Sequence, residues 1–410
     1  MSIEIRCPEQ DEYAAAVNVM TTAFLERPDI EKVTAEIRES WVPGRTWVAY
    51  DDGRACGTFR SWGTQVTVPG GRTIPAAAVS AVTVLPTHRR RGILTRMAAV
   101  EHAAARQRGE AAAVLLASEY PIYGRFGYGP ATRNITWTVA AREASVAGPA
   151  PAGSVELAPL DEATRDTIRG VYEAARLRVA GEIWRRDITW QVDLALRPEV
   201  FGESFKGFVA IHRDVTGAAD GYVRYKADPR WGDDGPEGVL TIADLHAPTD
   251  GAYAALWRFL LEIDLVRTVK AESRPLSERL PWLLTNARAA RATNAGDYLW
   301  VRLFDVAAAL EARSYERAGS VVLEVVDAEA SGGRHRLLLD ASPEGATCRP
   351  TDRAPEITVP VAALGGAYLG GTRLRDIVLT TGADEHRAGA LSLADALLRA
   401  GDEPWCSTFF

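Results

Sequence analysis

An α+β fold built on mixed sheets, laid out in three segments, follows from three features of this sequence. The apolar alternation "VSAVTVLP" (79–86), the turn "THRRRGIL" (87–94), an alanine-rich helical stretch and the apolar run "AAVLLAS" succeed one another in a strand, turn, helix, strand order. The same layout returns at 238–266, in "GVLTIADLHAPTDGAYAALWRFLLEIDLV". Between the two lies "REASVAGPAPAGSVELAPL" (142–160), rich in Pro, Gly, Ala and Ser, which places a boundary near 148.

Taken in order, "QDEYAAAVNVMTTAFLE" (10–26) has helical spacing, and "TWVAYDDGRACGTFRSWGTQVTV" (46–68) predicts two strands around an Asp-Asp-Gly turn. The helix of the first repeat is expected over "GILTRMAAVEHAAARQRG" (92–109). In the second segment, "GFVAIHRD" and "GYVRYKAD" are strands, and Thr249 or Asp250 is the expected N-cap of the helix that follows. There "PTDG" holds the place of "RRRG", offering helix amides without cations. A third segment opens with "VRLFDVAAALEAR" (301–313), expected to be a short amphipathic helix, before the strand-like "GSVVLEVVD" and "RHRLLLD".

Composition narrows the function. With 410 residues, 47% hydrophobic and 25% charged, the chain is folded rather than disordered, and too long for one ordinary core. A net charge of −7 lacks the basic footprint of a nucleic-acid binder, so no nucleic-acid partner is expected. The longest apolar runs fall short of the roughly 20 residues that span a bilayer. Cys7, Cys56, Cys348 and Cys406 follow no metal or disulfide spacing, the six His form no HExxH pattern, and no GxSxG is present. Reduced thiols and an acidic opening stretch, "MSIEIRCPEQDEY", lead to the expectation of a cytoplasmic protein without a metal.

The arginine turn is where chemistry concentrates. The first amides of a helix lack intrahelical acceptors and carry the positive end of its dipole, so they attract anions. Gly92 lets a phosphate approach the backbone, and Arg89, Arg90 and Arg91 add donors suited to phosphate oxygens. A solvated charge run accounts for the arginines but not for their place at a glycine-closed turn between strand and helix. A nucleic-acid patch would need interleaved aromatics, which are absent.

The spacing R-x-x-G at Arg89 and Gly92 after "SAVTVLP" resembles the cofactor motif of GCN5-related N-acetyltransferases (GNAT), although Leu94 stands where many members have Gly or Ala. Together with "ASEYPIYGRFGYGPAT" (117–132), "ARAARATNAGDYLWVRLFDVAAALEAR" (287–313) and "AYLGG" (367–371), the turn resembles the Eis (enhanced intracellular survival) family over essentially the whole chain. That resemblance implies tandem GNAT-like domains, 1–147 catalytic and 148–300 degenerate, followed by a sterol carrier protein-like domain at 301–410. It implies acetyl-coenzyme A as co-substrate, a small-molecule or peptide amine as acceptor, and a homo-oligomer, commonly a hexamer.

Residue by residue, the resemblance implies that Val82, Thr83 and Val84 pair with pantetheine as an added strand, with core packing as the bland alternative for the valines. Arg90, Arg91, Gly92, Ile93, Leu94 and Thr95 would hold the pyrophosphate, with Arg89 beside them, and Ser118 and Glu119 would end the neighbouring strand. Tyr123 would be the general acid, Tyr128 packing, and the terminal carboxylate on Phe410 the general base. Trp405, Phe409 and Phe410 are the aromatics available to bury that carboxylate. The family has an acidic residue before the terminal Phe where this chain has Phe409, which leaves Glu26 and Asp29 as weak substitutes for receiving a cationic amine. His88 is read as a surface loop residue. Transfer of a longer acyl chain, or a lipid- or coenzyme A-binding module with a vestigial transferase, are the alternatives.

Overall fold

A computed structural model of the chain describes residues 3–199, 203–233, 235–329 and 333–410. They fall into two compact units, one of residues 1–132, 298–401 and 409–410, the other of residues 133–297 and 402–408.

The first unit holds a seven-stranded sheet. Its first five strands are β1 (Ile3–Arg6), β2 (Thr46–Asp51), β3 (Arg54–Thr67), β4 (Thr73–Val84) and β5 (Ala112–Leu116), neighbours in that order. Beyond β5 come Leu299–Leu303 and the short Gly129–Pro130. The Asp-Asp-Gly turn joins β2 to β3, with Asp52 and Gly53 both at positive φ, as a tight hairpin turn requires. Helix α1 (Tyr13–Ala23) and α2 (Ile30–Ile37) follow β1, and α3 (Ile93–Gln107) crosses from β4 to the parallel β5.

Ile93, Met97, Ala98 and Ala105 of α3 pack on Cys56, Phe59, Ala77 and Ala113 of the sheet, an apolar stripe at helical spacing meeting Phe59 and three small residues. A five-stranded sheet, centred on Gly319–Val326 paired with Arg334–Ser342 and Ile357–Pro360, completes this unit.

The expected helix over 301–313 is only its second half, Val306–Ala312. Residues 299–303 are instead a fully buried strand, antiparallel to β5 from Leu299↔Leu116 to Leu303↔Ala112. Asp305 makes the break, its side chain accepting from the Ala308 amide as the N-cap.

The second unit has its own seven-stranded sheet, whose parallel pair Gly238–His246 and Val266–Pro275 is bridged by the helix Asp250–Leu261. Its order of strand, helix and strand matches β4, α3 and β5. Thr249, rather than Asp250, is the N-cap and accepts from the Ala252 amide at 3.1 Å. This helix start therefore satisfies itself. Strand Arg133–Ala140 also belongs here, between Ala290–Asp297 and Val266–Pro275.

Candidate active site

β4 pairs with β5 only through Ala76↔Ala112, Ala77↔Ala113 and Ala78↔Val114. Its pairing with β3 then slips between Thr58 and Arg60, and Ala81 on β4 takes φ 50, a bulge that bends the strand. Thr58 Oγ1 locks the bulge by donating to the Ala81 carbonyl at 2.8 Å, and meets Thr83 Oγ1 at 2.7 Å. Val82, Thr83 and Val84 are thus left without a strand partner on the β5 side. Such an edge hydrogen-bonds an extended ligand as a sheet bonds a strand.

The gap opens a cavity of about 550 Å³, walled by Val82–Val84, the turn after β4, the start of α3 and the segment after β5. At its basic end α3 starts uncapped: Gly92 is its N-cap at φ 72 with no side-chain cap, and Arg96 is the residue whose amide reaches back to the Gly92 carbonyl, at 3.1 Å. The amides of Ile93, Leu94 and Thr95 precede that bond and have no acceptor within the helix. Arg90, at φ 63, adds a second left-handed residue, the kind of backbone from which anion-binding concavities are built. A Cβ on Gly92 would meet nothing within 4 Å, so glycine is required here by φ and by ligand approach, not by crowding.

The wall contains Arg89, Arg90, Gly92, Ile93, Leu94 and Thr95, together with Ser118, Glu119 and Tyr123. Arg91 is placed differently. Its Nη1 donates to Asp51 Oδ2 at 2.8 Å, an aspartate that His88 Nε2 also approaches at 3.4 Å, and Arg91 is not part of the wall. The Arg91 hydrogen bond holds the Asp51 carboxyl below its usual range. His88 does line the cavity.

Tyr123 ends the short helix Tyr120–Tyr123 and is 7% exposed. Burial pushes its phenol up, the nearby Glu119 carboxylate adds to this, and a hydrogen bond with Ser118 works against both. The phenol is therefore protonated at neutral pH. Tyr128 is buried within the core, its hydroxyl 3.0 Å from His102 Nε2.

Residues that the sequence did not single out complete the cavity: Ala23, Phe24 and Leu25 at the end of α1, with Ile122 and Arg125. Phe24 and Leu25 are solvent-facing apolar side chains, Leu25 at φ 64. The Phe410 ring lies edge-on to Trp62 of β3, 5.5 Å between centroids, and neither lines the cavity. Phe409, offered by the sequence as cover for the terminal carboxylate, is 82% exposed, and the ring that packs on the Phe410 ring is that of Trp62. Asp29 caps α2 by accepting from Lys32 at 3.1 Å, and Glu26 is exposed outside the cavity wall. Among the described residues, Glu119 is the one carboxylate on the wall.

Residues 4–131 match the family model of an acetyltransferase (GNAT) domain, residues 181–303 match another, and residues 306–407 match a sterol carrier protein domain. The N-acetyltransferase Eis of Mycobacterium tuberculosis is 34% identical across 97% of this chain and 93% of its own length. The chain belongs to the Eis family of GNAT N-acetyltransferases. Eis1 from Mycobacterium abscessus superposes over 100% of both chains with a TM-score of 0.85 at 34% identity. An uncharacterized N-acetyltransferase of Streptomyces avermitilis is 38% identical over 100% of this chain and 99% of its own.

As an Eis-family acyltransferase, the protein has two GNAT domains followed by a sterol carrier protein domain, and its co-substrate is an acyl-coenzyme A. No described helix is long and apolar enough to cross a membrane.

Replacing Gly92 by Val in this Eis-family site tests the anion cradle. A β-branched residue at φ 72 is strained by about 1–2 kcal/mol, and its side chain occupies the approach to the helix amides. We expect coenzyme A affinity, measured by calorimetry, to fall at least tenfold while the melting temperature falls by only a few degrees.

Proposed function

We propose that the protein transfers acetyl from acetyl-coenzyme A to a primary amine by direct attack, the amine being aminoglycoside-like, a polyamine or a lysine side chain. The single observation that carries this reading is the cavity in which three groups converge: the unpaired edge at Val82–Val84, the uncapped α3 start with Arg89 and Arg90, and the protonated Tyr123. The pyrophosphate binds the amides of Gly92 to Thr95, and pantetheine runs along Val82–Val84. Ser118 and Glu119 flank the thioester.

The amine nitrogen attacks the thioester carbonyl carbon, and the developing oxyanion is met by main-chain amides at Val82–Val84. As the C–S bond breaks, Tyr123 gives its proton to the thiolate, neutralising charge where it appears. The proton lost by the amine goes to the carboxylate of Phe410, whose ring packs on Trp62. Products are the amide and free coenzyme A. Arg91, one residue before Gly92, pairs with Asp51 at the end of β2.

The same reading extends to a catalytic first domain, a degenerate second domain and a sterol carrier-like domain from 301, with the first boundary nearer 132 than 147 because strand Arg133–Ala140 pairs within the second unit's sheet. It also extends to a cytoplasmic homohexamer, a state that sedimentation velocity reads directly.

The test is thiol release from acetyl-coenzyme A across aminoglycosides, polyamines and lysine peptides, with longer thioesters in parallel. We expect turnover with acetyl and at least one amine class. A chain extended by two glycines after Phe410 should lose about a hundredfold in rate while still binding coenzyme A. Full activity of the extended chain removes the Phe410 assignment. Lipid carried through purification without coenzyme A binding overturns the enzyme reading at this site.

A further inference from the structure

The segment that carries Tyr123 runs on through Phe126, Gly127, Tyr128 and Gly129, and it is bound to Tyr123 by its own backbone. The Tyr128 amide donates to the Tyr123 carbonyl at 3.3 Å, and the Gly127 amide donates to the Gly124 carbonyl at 3.0 Å. The two tyrosine rings meet edge-on, 6.1 Å between centroids. Whatever holds residues 126–128 therefore holds Tyr123.

What holds them is a buried charge cluster. Arg302, 1% exposed on the strand Leu299–Leu303, donates Nη1 to the Phe126 carbonyl at 2.7 Å. Its Nη2 reaches both Asp327 carboxylate oxygens, at 3.0 and 3.1 Å, and Glu329 Oε2 at 3.0 Å. Glu329 Oε2 lies 2.7 Å from His102 Nδ1, and His102 Nε2 faces the Tyr128 hydroxyl at 3.0 Å. Burial keeps His102 neutral, so Nδ1–H donates to Glu329 and the Tyr128 hydroxyl donates to Nε2. The cluster thus grips the loop at Phe126 and again at Tyr128, on either side of Gly127.

Gly127, at φ 82, is where the guanidinium fits: a Cβ there would overlap Arg302 Nη1. At Gly129 a Cβ would overlap the Ala362 carbonyl. Asp327, Glu329 and Ala362 all lie within the stretch that matches the sterol carrier protein domain.

A buried cluster of this kind is weak evidence for stability, since desolvation offsets the attraction and apolar residues of similar volume often serve as well. Geometric control is a better account. Displacing a reacting group by about 1 Å costs up to about a hundredfold in rate.

We propose that Arg302, held by Asp327 and Glu329 of the sterol carrier domain, is a positioning residue for Tyr123, fixing the loop that aims the phenol at the leaving sulfur. It rests on Tyr123 being the general acid. The sterol carrier domain thereby acts as a brace for the catalytic domain, a task separate from carrying any lipid.

The test uses the full-length chain, with rates referred to coenzyme A-binding sites counted by calorimetry. In Arg302→Met, kcat is expected to fall about tenfold to a hundredfold while the KM for acetyl-coenzyme A stays within threefold. Arg302→Lys should recover part of kcat, since one donor can still reach the Phe126 carbonyl. Glu329→Gln, which leaves the Arg302–Asp327 pair intact, should lose about threefold to tenfold and serves if Arg302→Met does not fold. Combining Arg302→Met with Tyr123→Phe should add no further loss, because both act through one proton donor.

Arg313 is the control. It is equally buried in the same unit but bonds the carbonyls of Tyr368 and Leu398, so Arg313→Met should lower the melting temperature and leave kcat per binding site within twofold. Wild-type kcat in both Arg302→Met and Glu329→Gln, with Tyr123→Phe impaired, overturns the positioning role alone. Wild-type kcat in Tyr123→Phe overturns the acid assignment itself.

Discussion

On the proposed general-acid role, Tyr123→Phe is expected to lower kcat by about a hundredfold to a thousandfold and to leave the KM for acetyl-coenzyme A nearly unchanged, because the substitution removes the phenol hydroxyl that gives the proton. General acid catalysis is worth roughly 10²–10⁴ in rate. The ring still packs among Ile122, Phe126 and Tyr128, so cavity shape and cofactor binding persist. Loss in kcat without loss in KM is the signature of an interaction made only in the transition state.

The pH dependence has a definite sign. Burial raises the phenol above its ordinary value of about 10, so the acid form persists through neutral and into alkaline pH. The kcat profile of the wild type should show no falling limb from Tyr123 below that value, and stopped thiol-release assays across the range read it. If Tyr123 were packing alone, the Phe variant would keep its kcat and lose only a little stability.

The sequence carried the ends of the site better than its middle. At Gly92, glycine after a strand and before an apolar helix needs no partner to be read, because its reason is local: positive φ and an open approach. Tyr123 stands out in the sequence only through the motif around it. Three adjacent arginines look alike in a string, and what separates Arg91 from Arg89 and Arg90 is Asp51, forty positions earlier, at the end of β2.

The splay of β4 from β5 was not legible at all. Its pivot is Ala81 at φ 50, a conformation that alanine rarely takes, inside an unbroken apolar alternation. Likewise "LWVRL" reads as either strand or helix until its partner is known, and that partner, β5, is remote in sequence. Phe409 does not cover Phe410, since its own side chain is 82% exposed. Arg302, Asp327 and Glu329 carry no local signal, and only the tertiary fold makes them a cluster.

Asp244→Ala destabilises the second unit by about 3–5 kcal/mol, the cost of leaving a buried cation without its counter-charge. Asp244 and Arg185 are 6% and 4% exposed. The carboxylate accepts from Arg185 Nη1 at 2.6 Å and the Tyr222 hydroxyl at 2.7 Å, with His246 Nε2 at 3.0 Å. Arg185 is also tied to Thr408 Oγ1 through Nε at 2.9 Å and to Ser407 Oγ through Nη2 at 2.7 Å, and its guanidinium lies over the Tyr172 ring. Without Asp244 those hydroxyls cannot offset the charge.

Burial alone would raise the Asp244 carboxyl, but Arg185 and His246 outweigh it and hold the group well below the usual range. A depressed carboxyl contributes its stability in full above its unfolded value of about 3.9 and loses it as pH falls toward the folded value. The gap between wild type and Asp244→Ala, followed in urea by far-UV circular dichroism, should therefore be constant near neutrality and narrow in acid. Replacing Arg185 by Met and Asp244 by Leu together should recover most of the loss, since no charge is then stranded. If that double variant matches the wild type in stability yet exposes Trp405, whose indole donates to the Ser273 carbonyl at 2.7 Å, the ion pair sets where residues 405–408 dock rather than how firmly the unit folds.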